Sequence, residues 1–218
     1  MSFTVAIDGP AAAGKGTIAR AVALHFGLTH LDTGLIYRAV GKRILELGGD
    51  VDERAIIAIA EMLKADDLTA DGLRSLEVAQ AASRAAAIPS VRRTLVDFQR
   101  QFAMRPEGTV LDGRDIGTVI FPNADVKIFV TATARTRAKR RFNEMRSKGE
   151  DVTLEEIERA VRARDKLDAE REVAPMRPAE DAHLLDTTDL SIDRAIKAAI
   201  AFVDAAYRPL NKLNMSLK

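Results

Sequence analysis

The stretch Gly9-Pro10-Ala11-Ala12-Ala13-Gly14-Lys15-Gly16-Thr17 reads G-x-x-x-x-G-K-G-T. It follows an apolar run, Phe3-Thr4-Val5-Ala6-Ile7, and precedes a helical pattern from Ile18 to Phe26. Strand, glycine-rich loop and helix in that order make a phosphate-cradling P-loop. Backbone N–H groups of such a loop point inward at phosphate oxygens, and the following helix adds the positive end of its dipole. Lys15 is placed to reach the terminal phosphates of a nucleoside triphosphate, so Gly9 to Thr17 is the expected nucleotide-phosphate-binding stretch. A glycine-rich turn with a stray lysine is the rival reading, and it leaves the flanking strand and helix unexplained.

Outward from the loop, strand and helix patterns alternate, which predicts an α/β fold with a parallel sheet. Strands are expected at about Phe3–Asp8, Thr29–Leu31, Thr109–Leu111, Val126–Val130 and His183–Leu185. Helices are expected at about Lys15–Phe26, from Ile36 to a stop at Gly48-Gly49, and at Ala55–Leu63, Leu76–Ala87 and Val91–Met104. Further helices follow at Thr133–Ser147, Leu154–Glu170 and Ile192–Tyr207, with a frayed tail after Pro209. Gly27 reads as a helix stop, Pro89 as a first-turn proline, and Thr153-Leu154-Glu155-Glu156 as a capping box. Residues 52–75 combine a short helix with an irregular polar stretch. The expected whole is a five-stranded doubly wound sheet, a P-loop kinase fold, in one domain over 1–218.

Ligands of such sheets sit beyond the carboxyl ends of the strands. Three strand ends carry polar clusters: Gly9 to Thr17, Asp32-Thr33-Gly34 and Asp112-Gly113-Arg114-Asp115. They are expected to converge on one crevice, which favours an enzyme over a nucleotide-binding structural module.

Gly16 stands where the commonest P-loops carry a Ser or Thr that holds Mg²⁺. The metal then relies on phosphates, waters and a carboxylate elsewhere. Asp112, acidic and at the end of a buried strand, is the candidate, acting through water with no direct protein ligand. Thr33 and Arg38 flank a helix start and suit a second phosphate, since arginine recognises phosphate in bidentate fashion. A helix cap and a surface arginine explain the same pair. Arg114 and Asp115 fit the crevice floor or a simple turn salt bridge.

Arg135, Arg137, Lys139, Arg140, Arg141, Arg146 and Lys148 face a single carboxylate, Glu144, along one helix, and Arg159, Arg162, Arg164 and Arg171 follow. Most are expected on a solvated face, with two or three touching phosphate during transfer. An RNA-binding stripe is the rival, but Phe142 is the one aromatic among these charges, too few for a row of stacked bases. His25, His30 and His183 show no metal spacing.

The 218 residues are 47% hydrophobic and 30% charged, with net charge +1 and no cysteine. Such a balance argues against wholesale electrostatic binding of nucleic acid. Lack of cysteine excludes disulfides, thiolate metal sites and a Cys nucleophile, and fits a reducing compartment. The N-terminus enters a strand almost at once, with no signal region, and no apolar run approaches membrane-spanning length. A cytoplasmic, monomeric protein without membrane or nucleic-acid partners is the expectation.

Several longer stretches resemble bacterial cytidylate kinases, of the nucleoside monophosphate kinase class. They are Ile7-Asp8-Gly9-Pro10 through Thr17, Leu31-Asp32-Thr33-Gly34 through Arg38, and Ala81-Ala82-Ser83. Asp112-Gly113-Arg114-Asp115-Ile116-Gly117-Thr118-Val119 and Glu170-Arg171-Glu172-Val173-Ala174-Pro175 are the more specific ones. The resemblance covers nearly the whole length. It implies transfer of a phosphoryl group from ATP, with Mg²⁺, to CMP or dCMP. It also implies that Thr33, Arg38 and Arg114 hold the CMP phosphate, and that Ser83, Arg92 and Asp115 read cytosine. Asp168 would meet the sugar, and Arg164 and Arg171 would serve the phosphates on closure. An acceptor-binding region is implied at about 48–90 and a lid at about 146–171. Family members often carry a small β-rich insert over the acceptor site, and residues 52–75 are too short and too poor in strand pattern for its full version.

Overall fold

The computed structural model describes residues 2–215, side chains at 76 and 208–215 excepted. The chain divides into two compact units, residues 1–31 with 103–218, and residues 32–102.

The first unit is built on the central strands β1 (Thr4–Asp8), β3 (Thr109–Asp112) and β4 (Val126–Thr131). With β2 (Thr29–Asp32) and β5 (His183–Asp186) the sheet order is β2-β3-β1-β4-β5. β1 pairs in parallel with β3 and β4, and β4 with β5. Every residue of β1 and β3 is buried, as expected of strands covered on both faces. Val5, Ile7, Val110, Ile128 and Val130 pack with Ile18 and Val22 of α1 (Lys15–Phe26) and with Ala195, Ala199 and Val203 of α8 (Ile192–Met215). After β3 the chain crosses over β1 to reach β4, so the carboxyl ends of β1 and β3 lie at the reversal of strand order, where such sheets bind ligands.

Two further helices of this unit, α6 (Ala134–Ser147) and α7 (Leu154–Ala169), pack through Ala138, Met145, Ile157 and Val161. The Thr153–Glu156 capping box starts α7 as expected. Gly27 ends α1 in the left-handed conformation, φ 67°. α8 differs from expectation: its backbone stays helical to Met215, past Pro209. A proline deletes one backbone hydrogen bond, and the turns on either side can carry a helix across it. The tail expected to fray is helical as far as it is described, and its last residues, 216–218, lie outside the described ones.

The second unit holds α2 (Thr33–Glu46), α3 (Glu53–Glu61), α4 (Leu76–Ala87) and most of α5 (Pro89–Ala103). α2 and α4 approach closely at Gly41, where an added Cβ would stand 2.6 Å from the Ala82 nitrogen. The polar stretch after α3 forms a 3-10 turn, Ala65–Thr69, fixed by Arg43 and the Lys64 backbone N–H on the Asp67 carboxylate. Among the described residues of this unit no strand lies beyond Asp32, and residues 52–75 form a helix and a 3-10 turn.

Candidate active site

β1 ends at Asp8 and the P-loop begins. Gly9 has φ 138°, and a Cβ there would lie 1.9 Å from the Val130 carbonyl oxygen on β4, so no side chain fits. Ala12 and Gly14 also take positive φ, 59° and 98°. Gly14 caps α1 without a side-chain hydrogen bond, and no acid stands in the first turn. The helix N-terminus is therefore left open to an anion. Lys15 is buried, and its Nζ donates to the Pro10 carbonyl at 2.9 Å.

Two arginines of the basic helix, and Thr187, which the sequence did not single out, hold carbonyls of this loop. Arg137 donates to the Ala11 carbonyl at 3.2 Å while its guanidinium pairs with Asp165 of α7. Arg140 reaches the Ala13 carbonyl at 3.4 Å and the Thr187 carbonyl and hydroxyl. The Thr187 hydroxyl lies 3.0 Å from the carbonyls of Ala13 and Thr131. The Ala11 and Ala13 carbonyls of the loop are thus held by α6 and Thr187. Gly14, Thr17, Arg140, Thr187, Leu190 and Ile192 line an adjoining cleft of about 380 Å³.

The basic helix is less free than its sequence suggests. Arg137 is buried rather than solvated. Arg135 and Arg162 both pair with Glu158, and Arg141 and Lys148 with Glu144. α7 supplies carboxylates that reading α6 alone could not show. Neutralisation within the pair of helices removes the main support for an RNA-binding stripe.

β3 ends in Asp112, and Gly113 to Asp115 lead into a π-helical turn, Ile116–Ile120. Asp8 holds this turn: its two carboxylate oxygens accept the backbone N–H groups of Ile116 at 2.8 Å and Gly117 at 2.7 Å. Burial outweighs these bonds and pushes the Asp8 carboxyl up to about 6 from 3.8. Between those values the folded protein holds a proton that the unfolded chain has released, so stability falls as pH rises through the window. The loss is roughly 3 kcal/mol. Asp8→Asn lacks this titration. Urea unfolding at pH 4 and pH 7 should show the wild type losing about that much against the variant at the higher pH, and an unchanged difference would contradict it.

Arg114 does not form the turn salt bridge with Asp115 that was one reading. Its Nε donates to Asp168 at 2.9 Å. Arg164 meets the same carboxylate at 3.2 Å, and Arg171 also donates to it. Asp168 is fully buried. Burial alone would raise its pKa, but the charges of Arg114, Arg164 and Arg171 together hold it below 3.8. One carboxylate therefore gathers three of the arginines expected to serve phosphates. Asp115 is buried at the head of the π-helical turn.

The second unit holds the other candidates. Thr33, buried, opens α2. Arg38 donates to the Leu73 carbonyl at 2.9 Å. Arg92 is buried, with its guanidinium 5.6 Å from the Tyr37 ring centre. Ser83 is half-buried on α4. Asp32 stands at the N-cap of α2 without a side-chain cap bond, and its carboxylate pairs with Arg74.

Among the described residues no group of three or more His, Asp or Glu could hold a metal. The Asp112 carboxylate does stand beside the P-loop: its Oδ2 is 3.7 Å from where a Cβ on Gly16 would be. This donor set fits Mg²⁺ held chiefly by substrate phosphates and waters rather than by a protein cage. No described helix is long and apolar enough to cross a membrane.

An uncharacterized protein from Eubacterium ventriosum ATCC 27560 has the same fold, with TM-score 0.53 and 16% identity over 94% of this chain and 99% of that one. A cytidylate kinase of Cereibacter sphaeroides is 59% identical over 204 residues, covering 94% of this chain and 96% of that protein. One from Methylocella silvestris is 54% identical over 207 residues, covering 94% and 96%. The family model for cytidylate kinase matches residues 5–205, which hold the P-loop, the Asp112 turn and the Asp168 cluster alike, and the chain belongs to the cytidylate kinase family.

Proposed function

We propose that this protein transfers the γ-phosphoryl group of ATP to CMP or dCMP, giving ADP and CDP or dCDP. The observation that carries the reading is an open P-loop in the same unit as three arginines gathered on one buried carboxylate. Loop N–H groups from Gly9 to Thr17 and Lys15 bind the ATP phosphates, and the cleft beside Gly14 takes the base. Mg²⁺, held by the phosphates with Asp112 through water, supplies charge neutralisation there. Arg38, Arg114 and Thr33 hold the CMP phosphate. This acceptor is already anionic, so positioning and electrostatics suffice and no general base is needed.

Arg164 and Arg171 serve the transferring group, as part of a lid at about 146–171. Asp168 meets the sugar. In the present arrangement its carboxylate is occupied by guanidinium groups, so the sugar contact requires at least one of them to move to phosphate. Such closure is the usual means of excluding water in phosphoryl transfer. The acceptor-binding region of about 48–90 acts within the kinase domain as one of its sub-regions. Absence of cysteine supports a cytoplasmic setting, and nothing in the reaction asks for a second copy of the chain.

Cytosine offers an amino donor and two ring acceptors. Asp115 accepts from the amino group, and Arg92 and Ser83 donate to the acceptors. Uracil turns the amino donor into a carbonyl, which leaves the Asp115 carboxylate against an acceptor. That mismatch costs about 1–3 kcal/mol, or roughly 5- to 150-fold. Steady-state kinetics with CMP and UMP should show kcat/KM lower for UMP by that factor. Equal values would remove Asp115 from base reading, and failure of every nucleoside monophosphate to stimulate ADP formation would remove the proposed function.

A further inference from the structure

Two of the three histidines are accounted for by ring packing. His25 meets Phe26 edge-on at 4.7 Å, and His183 stacks on Phe202 at 4.4 Å. His30 is different. It stands on β2, and its Nε2 lies 2.7 Å from Oδ1 of Asp112, which is 82 residues away at the end of β3. Both side chains are largely shielded from water, at 16% and 7% exposure. An imidazole N–H donating to a carboxylate at this distance fixes the rotation of the carboxylate as well as its place.

The other oxygen, Oδ2, faces the P-loop. It lies 3.7 Å from the position a Cβ on Gly16 would take. Gly16 is the residue whose commoner counterparts present a metal-holding hydroxyl. The carboxylate therefore addresses the place that the missing hydroxyl leaves. A competitor is close by: Arg20 Nη1 is 3.6 Å from the same point. Without a donor on Oδ1, the Asp112 carboxylate can turn or swing to this guanidinium. Paired there, it would be a poorer acceptor for a metal-bound water.

We propose that His30 is a positioning residue that orients the Asp112 carboxylate toward the Mg²⁺ accompanying ATP, replacing the orientation that a P-loop hydroxyl supplies elsewhere. This rests on the reading of Asp112 given above. The imidazole touches no substrate; it acts through Asp112 alone.

The test compares wild type, His30→Met and His30→Gln. Methionine fills similar space with no donor, whereas glutamine restores an N–H near the same point. Mn²⁺ is the probe, its free concentration followed by electron paramagnetic resonance with enzyme and a non-hydrolysable ATP analogue. Mn²⁺ affinity of the His30→Met complex should fall about 10-fold, as is usual when the partner of a metal-side ligand is removed. Affinity for the analogue without metal should stay at the wild-type value. The Mg²⁺ concentration giving half-maximal kcat should rise by a similar factor, with KM for CMP unchanged. His30→Gln should recover most of the loss.

Wild-type Mn²⁺ affinity in a folded His30→Met protein would overturn the proposal. So would an equal fall in metal-free nucleotide affinity, which would mean that the P-loop itself had been disturbed. Should His30→Met fail to fold, His30→Gln decides: Mn²⁺ affinity far below wild type overturns the donor role. If the wild type itself shows no CMP-stimulated, metal-dependent ADP formation, the proposed function falls and this inference with it.

Discussion

Lys15→Ala should lose at least about 10³-fold in kcat while keeping its fold, the loss expected when a preorganised charge aimed at the transferring phosphoryl group is removed. Lys15 opens α1, and its ammonium is held inside the loop by the Pro10 carbonyl. Loss of its charge-assisted bond to Pro10 costs about 1.5–3 kcal/mol. The loop shape does not depend on it, because Gly9, Ala12 and Gly14 set the backbone and Arg137, Arg140 and Thr187 engage the Ala11 and Ala13 carbonyls. ADP formation at saturating ATP and CMP, with circular dichroism of the same sample, gives the answer. A folded variant turning over within tenfold of wild type would contradict the P-loop assignment.

Asp168→Ala should be costly twice over. The carboxylate is 1% exposed and shared by Arg114, Arg164 and Arg171. Removing one member of a buried charge cluster costs about 3–5 kcal/mol, and the lower end applies here because the arginines are partly exposed and can rehydrate. Arg114 and Arg171 lose their common anchor, and kcat/KM for CMP should fall about 100-fold. The stabilisation also has a pH signature opposite to that of Asp8. Because its folded pKa lies below 3.8, the unfolded chain takes up the proton first on acidification, and stability is lost as pH falls below about 4. Urea titrations should show the gap between wild type and variant full at pH 7 and shrinking toward pH 3. A variant as stable as wild type at pH 7, with unchanged kinetics, would show that the cluster holds nothing in place.

The parts legible in the sequence were those written locally. The P-loop, α1 and the buried strands follow from short patterns whose physics is contained in neighbouring residues: glycines where positive φ is needed, apolar runs where both faces are covered. The capping box at Thr153 and the first-turn proline at Pro89 were readable for the same reason. What escaped depends on pairs far apart in the chain. His30 meets Asp112 across the neighbouring strand, and Asp165 on α7 neutralises Arg137 on α6. No spacing announces either contact. Asp8 had a faint signal, an acid at the end of an apolar strand like Asp112, but its two backbone partners lie in a π-helical turn over 100 residues away. Most of the charge on α6 does lie on a solvated face, Arg135, Lys139, Arg146 and Lys148 being exposed, but two of its countercharges, Glu158 and Asp165, belong to the next helix and could not be read from α6. Asp168 was expected at the sugar; its role as the common partner of three arginines becomes visible only when Arg114, from the β3 turn, is seen to reach α7.

The central claim is direct phosphoryl transfer from ATP to cytidylate. The measurement closest to it follows the γ-phosphate of labelled ATP in the presence of CMP and Mg²⁺. The label should appear in the terminal phosphate of CDP, with ADP formed in equal amount and little inorganic phosphate released. Label released as inorganic phosphate at the same rate with and without CMP would contradict the account.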